Sequence, residues 1–383
     1  MSSTTERRFD LDWMRNIAIL TVFLFHSLRF FNFEDWHVKN PTTYAFLEEL
    51  IRFMGFWMMP FIFVISGTSL YLALGKSSLL HVAGKFIKDK FLRLLVPLAV
   101  NVFSLTILQI YLERVSHRQF TGSLIDFLPH YFEGIYGFGG NFSPVGNHLW
   151  YLAVLFLFCL ILLPFFLFLK SRMGGRVLGW MTNAAALPGA VYLLGLLTIF
   201  SWKLIDADGV LGFDKFNWNL GVYMSYLILG FVVISNDRLQ RSIMQLRWVS
   251  FILAAAATYW FITTGDHKDA VSITYVLTFL GMGMRYLNHN QPALKYASEA
   301  VLPFYILHQT VLLAVGFFVV QWPIADALKW LAIVIISLAI IAATYELLVR
   351  RINLLRILFG MKPLVVAAAR PASAPVQPAI VGR

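Results

Sequence analysis

Apolar residues run along this chain in blocks of about twenty, separated by short polar intervals. About twenty apolar residues are what a helix needs to cross the hydrocarbon of a bilayer. Ten blocks qualify: Trp13–Phe33, Leu50–Leu74, Leu92–Leu112, His148–Leu169, Ala184–Trp202, Phe216–Ser235, Trp248–Thr264, Ala270–Leu287, Ala300–Val320 and Ala325–Val349. The seventh and eighth are divided only by "GDHKD". The first begins abruptly and lacks a small-residue cleavage site, so it reads as a span and not as a removable signal. The pattern predicts an all-α, polytopic integral membrane helix bundle of about ten transmembrane helices over residues 1–350. Residues 351–383 read as a cytoplasmic tail, with Pro363–Arg383, rich in Ala, Pro and Val, expected to be disordered.

Composition agrees with the pattern. Of the 383 residues, 59% are hydrophobic and 13% charged, and the mean hydropathy is +0.71. A soluble domain does not need that much apolar surface. Cys159 is the only cysteine, which excludes an internal disulfide and a cysteine-based metal site. The net charge of +11 gains meaning from its placement. With the N-terminus in the cytoplasm, 22 of the 31 Lys and Arg residues fall in cytoplasmic segments, including Arg7, Arg8, Lys85, Arg172, Arg241 and Arg350. That asymmetry fits an even number of spans with both termini inside. The positive charge then faces anionic lipid, and nucleic acid is not an expected partner.

A titratable group at membrane depth is costly, so it marks a candidate site. Arg15 opens the first block, and His26 lies 11 residues further on. At 1.5 Å per residue that is roughly 16 Å along a helix, past the middle of a hydrocarbon layer about 30 Å thick. His148 opens the fourth block in "NHLWYL", and His308 sits inside the ninth in "LPFYILHQ". An anchor would account for Arg15 alone, and a structural histidine bonded to a neighbouring helix for His26 alone. Three histidines at the middle or outer level of three spans point to one site. No two have the short helical spacing of a metal-ligand pair, so proton transfer is the expected chemistry, without metal. Lys90 and Arg93, in "KDKFLRLLVP", share a helix face at the mouth of the third block. They read either as positive-inside anchors or as a phosphate clamp. No P-loop and no GxGxxG is present.

These residues resemble the membrane acyltransferase family 3. The first helix of that family carries an arginine, ten intervening residues and a histidine, here "RNIAILTVFLFH" from Arg15 to His26. "MPFIFVISG" from Met59, the basic pair Lys90 and Arg93, "HLWYL" from His148 and "FYILH" ending at His308 follow in the family order. Lysine stands at position 90 where arginine is common in the family. The chain is similar to short members without an extracytoplasmic esterase-like domain, of the glucans biosynthesis protein C type. The resemblance implies an acyltransferase of the bacterial inner membrane, moving groups other than amino-acyl groups. Its donor would be cytoplasmic acyl-CoA, a substrate and not a tightly bound cofactor. Its acceptor would be a hydroxyl of an extracytoplasmic carbohydrate or related molecule. Under that reading His26 is the base or briefly carries the acyl group, His308 and His148 orient it, and Arg15, Lys90 and Arg93 hold the donor phosphates. The long outer loop from Glu113 to Asn147 would meet the acceptor with Tyr131 and Tyr136, and Trp150 would do so from the fourth block. The competing reading is a proton-coupled transporter or flippase for an anionic or carbohydrate substrate, using the same histidines as a relay.

Overall fold

The computed structural model describes residues 7–75, 79–204, 212–213, 218–265 and 267–364. It is helical apart from a two-residue antiparallel ladder, β1 (Gly212–Phe213) with β2 (Trp218–Asn219). In chain order the helices are α1 (Phe9–Leu28), α2 (Ala45–Ala73), α3 (Leu79–Lys90), α4 (Val96–Val102), α5 (Leu105–Ser116), α6 (Leu124–Phe127), α7 (Trp150–Lys170) and α8 (Arg172–Ala185). There follow α9 (Gly195–Leu204), α10 (Leu220–Ile234), α11 (Asp237–Gln245), α12 (Arg247–Thr264), α13 (Lys268–Tyr286), α14 (Pro292–Val319), α15 (Asp326–Thr344) and α16 (Asn353–Leu358).

Among the described residues four helical stretches are long and apolar enough to cross a membrane: Ala45–Ala73, Asn147–Lys170, Pro292–Val319 and Asp326–Val349. The number is six if each of two bent pairs counts as one span. One such pair, Ala83–Val102 with Leu105–Ser116, replaces the uninterrupted helix expected at Leu92–Leu112 and bends by 40°. Folded structure also extends into the stretch read from sequence as tail, because α16 packs Arg356 against Glu299 at 2.8 Å.

The backbone is irregular where chemistry-bearing residues cluster. A π-helical turn, Phe91–Leu95, joins α3 to α4 and carries Arg93. Such one-turn widenings are frequent at functional sites. Pro303 interrupts the hydrogen-bond ladder of α14 one turn and a half before His308.

Helix packing places α1 at the centre, against α2, α13 and α14. Its own first turn is favourable, since Asp10 and Asp12 sit where the helix dipole is positive. Arg8 closes the buried Asp10 carboxylate at 2.7 Å and reaches Gln240 at 2.8 Å. The tightest crossing joins α2 to α10, where Gly67 faces the Leu227 carbonyl and Gly230 faces the Val64 carbonyl with no room for a side chain. Small residues let two membrane helices approach this closely. Gly67→Ala and Gly230→Ala are each expected to destabilise the detergent-solubilised protein by on the order of 1–3 kcal/mol, read as a lower Tm. Gly179→Ala, which meets nothing within 4 Å inside α8, is the control that should not lower Tm.

Candidate active site

One stripe of α1 organises the site. Arg15, Ala18 and Ile19 line a narrow slot of about 170 Å³, and Val22, Phe25, His26 and Arg29 line a second cavity of about 480 Å³ further along. These positions recur every three or four residues, so they share a helix face. α2 runs the other way and contributes in reverse order. Ile51 to Pro60 face the larger cavity, and Ile62 to Leu70 face the slot. α7 and α14 complete both walls. Tyr305 of α14 is the residue common to the two linings.

The far end of the slot is basic. Lys90 and Arg93 line it, and among the described residues neither has an ion-pair partner. Arg15 donates to Ser69 Oγ at 2.9 Å and touches Asp12 at 3.4 Å. Lys90 and Arg93 also line a basin of about 980 Å³ with Lys85, Arg356 and Lys362, where the carboxylates are Asp89 and Glu299, the latter paired with Arg356. Several cations with few counter-charges form a site for an anion. Arg15, Lys90 and Arg93, chosen from sequence spacing, are thus brought together.

His26 and His148 line the larger cavity, and His308 is buried beside them. His26 Nδ1 lies 3.0 Å from His308 Nε2. His308 Nδ1 lies 2.5 Å from the Tyr305 carbonyl, and His148 Nε2 lies 3.1 Å and 3.2 Å from the carbonyls of Tyr305 and Ile306. A carbonyl can only accept, so those three contacts fix the proton positions of the neutral rings. His308 carries its hydrogen on Nδ1, and its Nε2 is left as an acceptor. His26 must then donate from Nδ1, which leaves the lone pair of His26 Nε2 bare in the cavity wall. His148 lies edge-on to His308, with ring centroids 4.8 Å apart. Trp36 stacks on His26 at 6.1 Å and 11°. Among the described residues no group of three His, Cys, Asp or Glu side chains is placed to hold a metal ion.

The loop carrying Trp36, residues 29–44, is held from within. Lys39 Nζ donates to the carbonyls of Arg29, Asn32 and Glu34 at 2.7, 2.5 and 3.0 Å. Burial, with the Arg29 charge beside it, pushes the Lys39 ammonium down to about 8. Glu48 accepts from the Asn32 side chain and the backbone N–H groups of Phe33 and Glu34. These anchors set Trp36 over His26.

Sequence reasoning missed a second polar cluster. His37 donates from Nδ1 to the Glu113 carboxylate, and its Nε2 accepts from Gln309 at 3.2 Å. Tyr136 donates to Glu113 at 2.9 Å, and Arg114 reaches it at 3.1 Å. Burial and the Glu113 carboxylate push the Tyr136 phenol well above its ordinary value, so it remains a donor. Gln309 follows His308 in sequence, so this cluster braces the helix that orients His26. The histidine in "DWHVKN" was the available signal. Tyr305 was also missed, although it stands one turn before His308.

The outer loop departs from expectation. Tyr131 is 0% exposed and donates to the Val102 carbonyl at 2.8 Å, packed with Ile110 and Phe127. It cannot stack on a sugar, because no face of its ring is open. Tyr136 is spent on Glu113 and does not line either cavity. Trp150 does line the larger cavity.

Several helices long and apolar enough to cross a bilayer surround an imidazole-walled cavity and a basic slot, the build of a multi-pass membrane protein. The chain belongs to the acyltransferase-3 family: the model of its acyltransferase domain matches residues 8–346, nearly the whole chain. It is accordingly an acyltransferase moving groups other than amino-acyl groups. No curated protein and no solved structure matches it.

Tyr131→Phe deletes one buried hydrogen bond and is expected to cost about 1 kcal/mol of stability. The acceptor KM should not change. A raised acceptor KM with unchanged Tm would return Tyr131 to the binding surface.

Proposed function

We propose that this chain transfers an acyl group from acyl-CoA on the cytoplasmic side to a hydroxyl of an extracytoplasmic carbohydrate or related acceptor. The observation that carries the reading is the meeting of two cavities at Tyr305. One ends at Lys90 and Arg93, which have no ion-pair partner among the described residues, and the other is walled by the bare nitrogen of His26. The coenzyme phosphates would sit at Arg15, Lys90 and Arg93, with the thioester arm in the slot. The acceptor would enter the larger cavity, where Trp150, Tyr223 and Phe56 offer ring faces beside the charged Arg29, Glu34 and Arg52. No resident cofactor is part of this reading.

The reaction follows from the proton positions. His26 Nε2 takes the acceptor hydroxyl proton as the oxygen attacks the thioester carbonyl carbon. The His26–His308 bond holds the ring and favours the imidazolium that forms, since His308 Nε2 accepts from it. The tetrahedral intermediate collapses, the carbon–sulfur bond breaks, and the thiolate recovers the proton from His26. Ester and free coenzyme A leave on opposite sides.

Ten spans with both termini cytoplasmic remain the proposed topology, with residues 1–350 as the membrane domain in a bacterial inner membrane. Contacts among segments assigned to the cytoplasm support it. Arg8 meets Gln240, Trp13 meets the His289 carbonyl at 3.2 Å, and Lys170 lies over Tyr71, all at the basic end. Reporter fusions within residues 117–147 should report the outside, and fusions after Ser171 the inside. The same side for both would defeat the topology.

Purified His26→Gln should bind acetyl-CoA with unchanged affinity and lose turnover by roughly 10²-fold or more, the contribution of a general base. Substantial turnover would remove the base. Arg15→Ala and Arg93→Ala should instead raise the donor KM more than they lower kcat. If neither moves the donor KM, the phosphates lie elsewhere.

A further inference from the structure

Tyr305 is the one residue that lines both the slot and the larger cavity. The slot is narrow and mostly aliphatic between its cationic mouth and Tyr305, with Ile62, Ile65 and Leu152 along it. The larger cavity is polar and wide, with Arg29, Glu34, Glu48, Arg52 and Lys268 around it. Tyr305 is 5% exposed. The phenol donates to the backbone carbonyl of His148 and is committed there. The ring is edge-on to Tyr151 on the slot side, at 5.9 Å and 84°, and tilted against His148 on the other, at 5.6 Å and 62°.

We propose that, while no acceptor is bound, the Tyr305 side chain is the partition that keeps water in the larger cavity away from a thioester in the slot, and that a bound acceptor displaces the ring so that its hydroxyl reaches the thioester carbonyl beside His26. The inference rests on reading the slot as the donor's. A base able to take a proton from an acceptor hydroxyl can also take one from water. Water would then attack the thioester carbonyl, break the carbon–sulfur bond, and leave a carboxylic acid and free thiol. A large cavity lined by charged groups beside His26 admits water and so that side reaction, and excluding water is the way enzymes suppress it. Tyr305 is here a positioning residue. Its hydroxyl is occupied by the His148 carbonyl, and its ring supplies the barrier.

The partition can be read without any acyl chemistry. In a Cys159→Ser background, which has no native cysteine, Ser66→Cys places a single thiol in the slot wall. A small charged methanethiosulfonate is added to either face of oriented vesicles. With Tyr305 present, the thiol should react from the basic face only. With Tyr305→Ala it should react from both faces, and with Tyr305→Phe, which keeps the ring, from the basic face only. Retained basic-face labelling reports that the variant is folded, and Tyr305→Leu serves if the alanine variant is not. In parallel, acetyl-CoA hydrolysis without acceptor should be severalfold faster in Tyr305→Ala than in Tyr305→Phe, which keeps the ring. Labelling of the Tyr305 protein from both faces, or no gain in Tyr305→Ala, would overturn the partition. Labelling as expected with no acetyl-CoA consumed by any variant would uphold the partition and defeat the donor reading instead.

Discussion

An imidazole placed among apolar helices must find a partner, and the partner it finds decides what it can do. Here the bond from His26 Nδ1 to His308 Nε2, 3.0 Å long, is that constraint. It works because His308 is itself fixed by the Tyr305 carbonyl and cannot offer a proton back. Each contacting ring nitrogen is assigned in turn; His148 Nδ1 is left buried without a partner, and the lone pair left at the wall of the larger cavity belongs to His26 Nε2. The logic is that of a triad, with a backbone carbonyl where an acid would stand. A carbonyl orients the ring without adding a negative charge, which spares the membrane interior an ion that would be expensive to bury.

Much of the rest can be understood as holding that bond in register. His308 and Tyr305 lie one turn apart on α14, so the helix that supplies the acceptor carbonyl also supplies the ring that separates the cavities. Gln309 ties the same helix to His37 and through it to Glu113 and the outer loop. On the other side, Lys39 and Glu48 fold residues 29–44 into a cap that brings Trp36 onto His26. The glycine contact of α2 with α10 brings together two helices that supply walls of the larger cavity.

How much of this was legible beforehand depends on range. The apolar blocks, the stripe from Arg15 to His26 and the pairing of Lys90 with Arg93 were readable, because each is a matter of spacing within one helix. The convergence of His26, His148 and His308 could be suspected from depth and is realised by packing. What was not legible came from long-range partners. Tyr131 looked like a sugar platform because aromatic and glycine-rich composition does not say which ring faces inward. Its partner, the Val102 carbonyl, is 29 residues away. Glu113 looked like a loop boundary, and only the fold brings His37 to it across 76 residues. The bend between α4 and α5 lies inside one continuous apolar run, where hydropathy carries no signal of a break.

The central claim is a statement about where hydrogens sit, and it can be measured directly. Protein labelled with ¹⁵N-histidine, reconstituted in bilayers, gives distinct nitrogen shifts for the two neutral imidazole tautomers. The His26 signal can be assigned by its loss in His26→Gln. The account requires His26 and His308 both to carry hydrogen on Nδ1 and His148 to carry it on Nε2. A neutral His26 protonated on Nε2 would contradict it, because the nitrogen facing the acceptor would then have no lone pair with which to act as a base.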